Sequence, residues 1–215
     1  MTTTPMFPGR SLAALALLAL GLAGAPARAQ VVPPDELVRA TSEQVLKMAA
    51  EDTGAKNGNT AKLVELIETR VVPHFDMRKV TRLAVGRPWR EATPEQQATL
   101  VREFQNLLVR SYAAAYTAYR QVKVEVPPVK LTGGEEEVVV KTRILLPGGA
   151  PPVGVDYAMG RSDTGWKVFN VTVDGVSLVT TYRNEFAAQI QNGGIDGLIG
   201  YLRERNARVG RPAAK

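Results

Sequence analysis

The sequence predicts an α+β domain in which a curved, four-stranded antiparallel sheet packs against helices that precede and follow it in the chain. Three observations carry that expectation. Apolar residues recur at helical spacing up to about residue 119, alternate with polar ones from Val122 to Val173, and return to helical spacing from Leu178. Short segments rich in Gly and Pro separate the alternating runs, as they do between hairpin strands. Helices and strands come in blocks rather than alternating, which is the α+β order and not the βαβ order.

Each element has its own signal. From Asp35, Leu37, Val38, Val45, Leu46 and Ala49 mark a first helix, and Gly54 to Asn59 is a polar break. Thr60 suits the N-cap of a second helix carrying Leu63, Val64, Ile67 and Val71, which Pro73 stops. A third, short helix covers Met77 to Val85 and ends at Gly86. Thr93-Pro94-Glu95-Gln96 is the clearest helix start: Thr93 caps, Pro94 fits the first helical position, and Gln96 sits where a capping-box side chain reaches back. That helix runs to about Tyr119 with Leu100, Phe104, Leu107, Leu108 and Tyr112 along one stripe. Strands follow at Val122–Val126, Val138–Leu146, Val153–Met159 and Trp166–Val173, with turns at Gly133-Gly134, Pro147–Pro152 and Ser162–Gly165. Leu178, Tyr182, Phe186 and Ile190 form a helix that ends at Asn192-Gly193-Gly194, and Ile195, Leu198, Ile199 and Leu202 form a last one.

The first residues read differently from the rest. Arg10 precedes an apolar run from Leu12 to Leu22, too short to span a bilayer, and Ala27-Arg28-Ala29 is the small-x-small pattern of signal-peptide cleavage. The expectation is a removed signal peptide, residues 1–29, followed by a single domain, residues 30–215. Losing Arg10 and Arg28 takes the formal net charge of +6 down by two. The chain has no Cys and one His, so Cys-based zinc sites, thiol nucleophiles and Ser-His-Asp chemistry have almost nothing to work with. Its 27 basic residues are dispersed along the chain rather than blocked, which argues against nucleic acid as a partner.

Asp174 to Phe186, followed by Gly194-Ile195-Asp196-Gly197-Leu198-Ile199, resembles the MlaC-type periplasmic phospholipid-binding proteins, the toluene-tolerance auxiliary family. Pro73-His74-Phe75-Asp76, Gly86-Arg87-Pro88-Trp89-Arg90 with Thr93 and Gln96, and Val155-Asp156-Tyr157 match it in the same order, over nearly all of the chain beyond residue 29. The resemblance implies a monomeric periplasmic carrier with an apolar cavity between sheet and helices. The acyl chains of a phospholipid would occupy that cavity, with no cofactor and no metal. It implies exchange of lipid with an outer-membrane lipoprotein–porin complex and with an inner-membrane ABC transporter bearing a periplasmic substrate-binding ring, so that the outer membrane stays asymmetric. Some relatives are associated with hopanoids, an alternative ligand that the residues leave open.

A carrier of this kind needs apolar room rather than an acid, a base or a nucleophile. Candidate walls are Val138, Val140, Ile144, Val153, Val155, Tyr157, Val168, Phe169, Val171 and Val173 from the sheet, Phe104, Leu108 and Tyr112 from the long helix, and Leu83 from the short one. An ordinary filled core would carry the same residues. Tyr157 and the Asp174-Gly175-Val176 turn match family positions near the pocket opening, although Asp174 reads equally well as a turn residue or helix cap. Trp89 and Trp166 read as wedges between sheet and helices, and His74 as structural. Arg87, Arg90 and Arg183 suit solvated or locally paired positions, a phosphate, or an acidic partner surface. Two readings from other classes stand beside the carrier: a periplasmic adaptor with a filled core, and a small cone-fold enzyme using Asp156, Tyr157 and Asp174. Strand alternation sends Asp156 and Tyr157 to opposite faces, which weakens the enzyme.

Overall fold

The computed structural model describes residues 31–51, 61–118 and 122–209. The expected signal peptide, the polar break and the Thr60 cap lie outside those residues. Helix α1 (Pro34–Glu51) opens with Asp35 and Glu36 in its first turn, where carboxylates complement the helix dipole. Helix α2 (Ala61–Arg70) leads into a 3₁₀ turn, Val72–His74. Helix α3 (Met77–Val85) is capped by Asp76, whose carboxylate accepts the Lys79 N–H at 2.8 Å. Gly86 ends α3 with φ 74°, a conformation that favours glycine. At the start of α4 (Pro94–Ala118), the Gln96 N–H donates to Thr93 Oγ1 at 3.2 Å while the Thr93 N–H donates to Gln96 Oε1 at 3.0 Å. That is the reciprocal capping box.

Strands β1 (Lys123–Glu125), β2 (Glu137–Leu145), β3 (Val153–Ser162), β4 (Gly165–Val173) and β5 (Val176–Ser177) form one antiparallel sheet in chain order. Four strands were expected; the fifth is two residues that fold back on Val173 and Thr172, too short to show any period. Register places Val140 opposite Tyr157, Thr142 opposite Val155 and Ile144 opposite Val153, so these share the covered face. Asp156 pairs with Lys141 and Thr172 on the other face.

Helix α5 (Leu178–Val209) starts at Ser177, whose hydroxyl oxygen accepts the Thr180 N–H at 3.2 Å. Its backbone breaks at Gly193 and Gly194, where the two expected helices meet, and Gly194 has φ 63°, ψ −160°. Three apolar clusters hold the elements together. Phe104 of α4 meets Tyr182 and Phe186 of α5 edge-on, with centroids 4.8 and 5.0 Å apart, inside a helical core that includes Val80, Trp89 and Leu198. A second cluster joins Val38 of α1 to Val140, Met159, Trp166 and Val168 of the sheet. In the third, Leu63 and Ile67 of α2 lie against Val109 and Ala113 of α4.

Candidate functional site

The three clusters do not merge. Where they meet, they leave a cavity of about 490 Å³. Its walls are the two-residue-wide stripe of α1 (Leu37, Val38, Val45, Leu46), Ile67 and Val71 of α2, Leu108 and Val109 of α4, and the covered face of the sheet. Side chains with polar atoms are few on this wall: Thr41, Ser42, His74, Gln105, Tyr112 and Tyr157. A separate void of about 30 Å³, lined by Phe104, Val179 and Tyr182, has room for about two or three waters at most.

Of the residues singled out from the sequence, Ile144, Val153, Val155, Tyr157, Val168, Val171 and Val173 of the sheet and Leu108 and Tyr112 of α4 come together on the cavity wall, whereas Val138 packs in the cluster between the sheet and α1. Val140 shares their sheet face but is fully covered, packed in the cluster between the sheet and α1. Phe104 and Leu83 lie in the helical core, away from the wall. Phe169 is displaced by a bulge: Ala158 pairs with Asn170 and Met159 with Val168, leaving Phe169 without an opposite residue. It stands instead under the Lys79 ammonium, 3.6 Å from its ring centroid. The same bulge lets Val168 and Val171 both reach the cavity, which strict alternation would forbid.

The Asp174-Gly175-Val176 turn adjoins the wall through Val173, which lines the cavity and pairs with Val176. Asp174 holds φ 45°; its carboxylate accepts the Gly154 N–H at 2.8 Å and its own N–H donates to the Gly154 carbonyl at 2.9 Å. That double bond to β3 makes it a brace. Val176 is 61% exposed. The wall residues that sequence reasoning passed over are mostly on α1 and around Val71–Phe75. The spacing of 38, 41, 42, 45 and 46 marks a core-facing stripe on α1, but the same stripe would face a filled core.

Electrostatics keep the cavity uncharged. Burial raises the Tyr112 pKa, opposed by a hydrogen bond to Tyr182. Burial and the neighbouring Tyr112 push Tyr182 up strongly. Burial, with the Lys167 ammonium second, lowers the pKa of His74, favouring neutral imidazole. Among the described residues there is no group of three or more His, Asp or Glu able to hold a metal ion, and no helix long and apolar enough to cross a membrane.

A model of the MlaC protein family matches residues 39–204. The chain belongs to the MlaC family. Over 136 residues it is 21% identical to the intermembrane phospholipid transport system binding protein MlaC of Haemophilus influenzae, covering 62% of this chain and 64% of that protein, just under two thirds of its length. Toluene tolerance protein ttg2D of Pseudomonas putida is 24% identical over 164 residues, covering 76% of this chain and 75% of that one. Among solved structures, a phospholipid-binding protein from Ralstonia solanacearum, in complex with a phospholipid, superposes with a TM-score of 0.76 at 34% identity. That match covers 83% of this MlaC-family chain and 99% of the Ralstonia chain, so the α+β fold with its curved antiparallel sheet is shared.

Proposed function

We propose that this MlaC-family protein binds phospholipid by its acyl chains inside the 490 Å³ cavity and carries it across the periplasm. It would exchange the lipid between an outer-membrane lipoprotein–porin complex and an inner-membrane ABC transporter with its periplasmic substrate-binding ring. In this reading residues 1–29 are removed on export, residues 30–215 act as one monomeric domain, and no covalent chemistry is performed. The observation that supports it most is the cavity itself, mostly apolar and bordered by three separate cores, in a fold whose Ralstonia relative holds a phospholipid. Withdrawing a chain of about 16 carbons from a bilayer costs on the order of 12 kcal/mol, at ~0.8 kcal/mol per CH₂, and only a comparable apolar surface offsets that. Tyr157 and Tyr112 offer ring faces to the chains, and the Asp174-Gly175-Val176 turn forms the rim toward the headgroup.

The test is transfer. Protein loaded with radiolabelled phosphatidylglycerol is mixed with acceptor vesicles, and label is followed into the vesicles over time. Transfer that scales with protein concentration, and that falls at least severalfold with Tyr157→Glu, is the expected result. Label that moves equally fast without protein, or in the variant, contradicts the reading.

A further inference from the structure

Polar side chains interrupt the apolar wall of the same cavity on two helices that pack together. On α1, Thr41 and Ser42 lie one turn from Val38 on one side and from Val45 on the other, all on the cavity face. On α4, which packs against α1, the cavity face runs Gln105, Leu108, Val109, Tyr112. Three helical hydroxyls elsewhere are satisfied by their own helix: Thr69 donates to the Glu65 carbonyl at 2.9 Å, Thr81 to Met77 at 2.7 Å and Thr181 to Ser177 at 3.0 Å. Thr41 and Ser42 make no such bond among the described residues. The Gln105 amide also has no partner among them, whereas Gln96 and Gln97 on the same helix are both bonded.

An amide and two hydroxyls on an apolar wall are inexpensive while water reaches them. Once acyl chains expel that water, the amide is left unsatisfied and each hydroxyl must turn back to a carbonyl of its own helix, unless the ligand supplies partners. Hydrocarbon cannot. The ester carbonyls that join acyl chains to glycerol are acceptors matched to one amide N–H₂ and two hydroxyl donors. We propose that Gln105, with Thr41 and Ser42, is a hydrogen-bonding station for the glycerol ester carbonyls of the bound lipid, fixing how deeply the lipid enters and selecting ester-linked over ether-linked chains. The proposal rests on the lipid-binding reading above.

Two phosphatidylglycerols of equal chain length, one diester and one diether, separate the possibilities by competition for the delipidated protein. The wild type should prefer the diester by about tenfold, the scale of one desolvated neutral hydrogen bond. In Gln105→Leu, and in Gln105→Leu combined with Thr41→Val and Ser42→Ala, the preference should shrink to within about twofold while the diether binds as well as before. Equal binding of the two lipids by the wild type overturns the station and needs no variant. Binding of neither lipid would instead overturn the carrier reading.

Discussion

His74 and Asp174 show what single side chains contribute beside the cavity. The unfolded chain takes up a proton near the ordinary histidine pKa of 6.5, whereas burial delays protonation of folded His74 to lower pH. Stability therefore falls as pH drops below about 6.5 and levels off once pH passes the lowered folded value. His74→Gln should flatten the decline in Tm between pH 7 and 5; equal declines in both proteins would assign the effect to other groups. Asp174 works by geometry. Asp174→Ala removes the acceptor of the Gly154 N–H, at a cost of about 1 kcal/mol, or roughly 2–4 °C in Tm for a domain of this size. An unchanged Tm would show that the brace carries no load. Neither role was legible in the sequence. Asp174 read equally as cap, turn or mouth residue, because the β3 residue it bonds lies twenty positions away. His74 gave no sign of lining a cavity, because its local context is only that of a helix end.

At the scale of elements, α5 is two helices joined at a break of two glycines. Gly194 occupies a backbone region essentially closed to other residues, and Glu185 before the break accepts from Tyr201 and pairs with Arg205 after it. Gly194→Ala should lower stability by about 1–3 kcal/mol. Gly200→Ala, in open space on the same helix, should be neutral or stabilising by up to about 1 kcal/mol. Chemical denaturation of both variants reads the contrast, and equal losses would remove the strain argument. Thr93→Ala breaks the capping box of α4 and should cost about 0.5–2 kcal/mol. Helices α3 and α4 were readable to the residue at these ends because caps are local chemistry. The Phe169 bulge was not, because whether a strand carries an extra residue depends on its partner's register. That is why Phe169, which alternation puts on the same face as Val171, looked like a wall residue, and why Val168 could join Val171 there only by ignoring the alternation.

For the whole molecule the central fact is an interior left open. Periodicity finds which faces are apolar, but a filled core and a hollow one have the same pattern, so the cavity was legible only through the resemblance to a family of lipid carriers. In the structure, helical, sheet and α2–α4 cores each close on themselves and leave about 490 Å³ between them. Filling that space should therefore help the empty protein and harm the loaded one. Leu108→Trp, on the wall, is expected to keep or raise the Tm of delipidated protein while cutting lipid content severalfold. Loss of fold in that variant would show that the wall has no room. The most direct test is native mass spectrometry of the protein purified without detergent from a Gram-negative host, with lipid identified after solvent extraction. The account predicts about one phospholipid per protein, with its acyl chains protected. Protein that emerges bare, and stays bare after incubation with phospholipid vesicles, would contradict it.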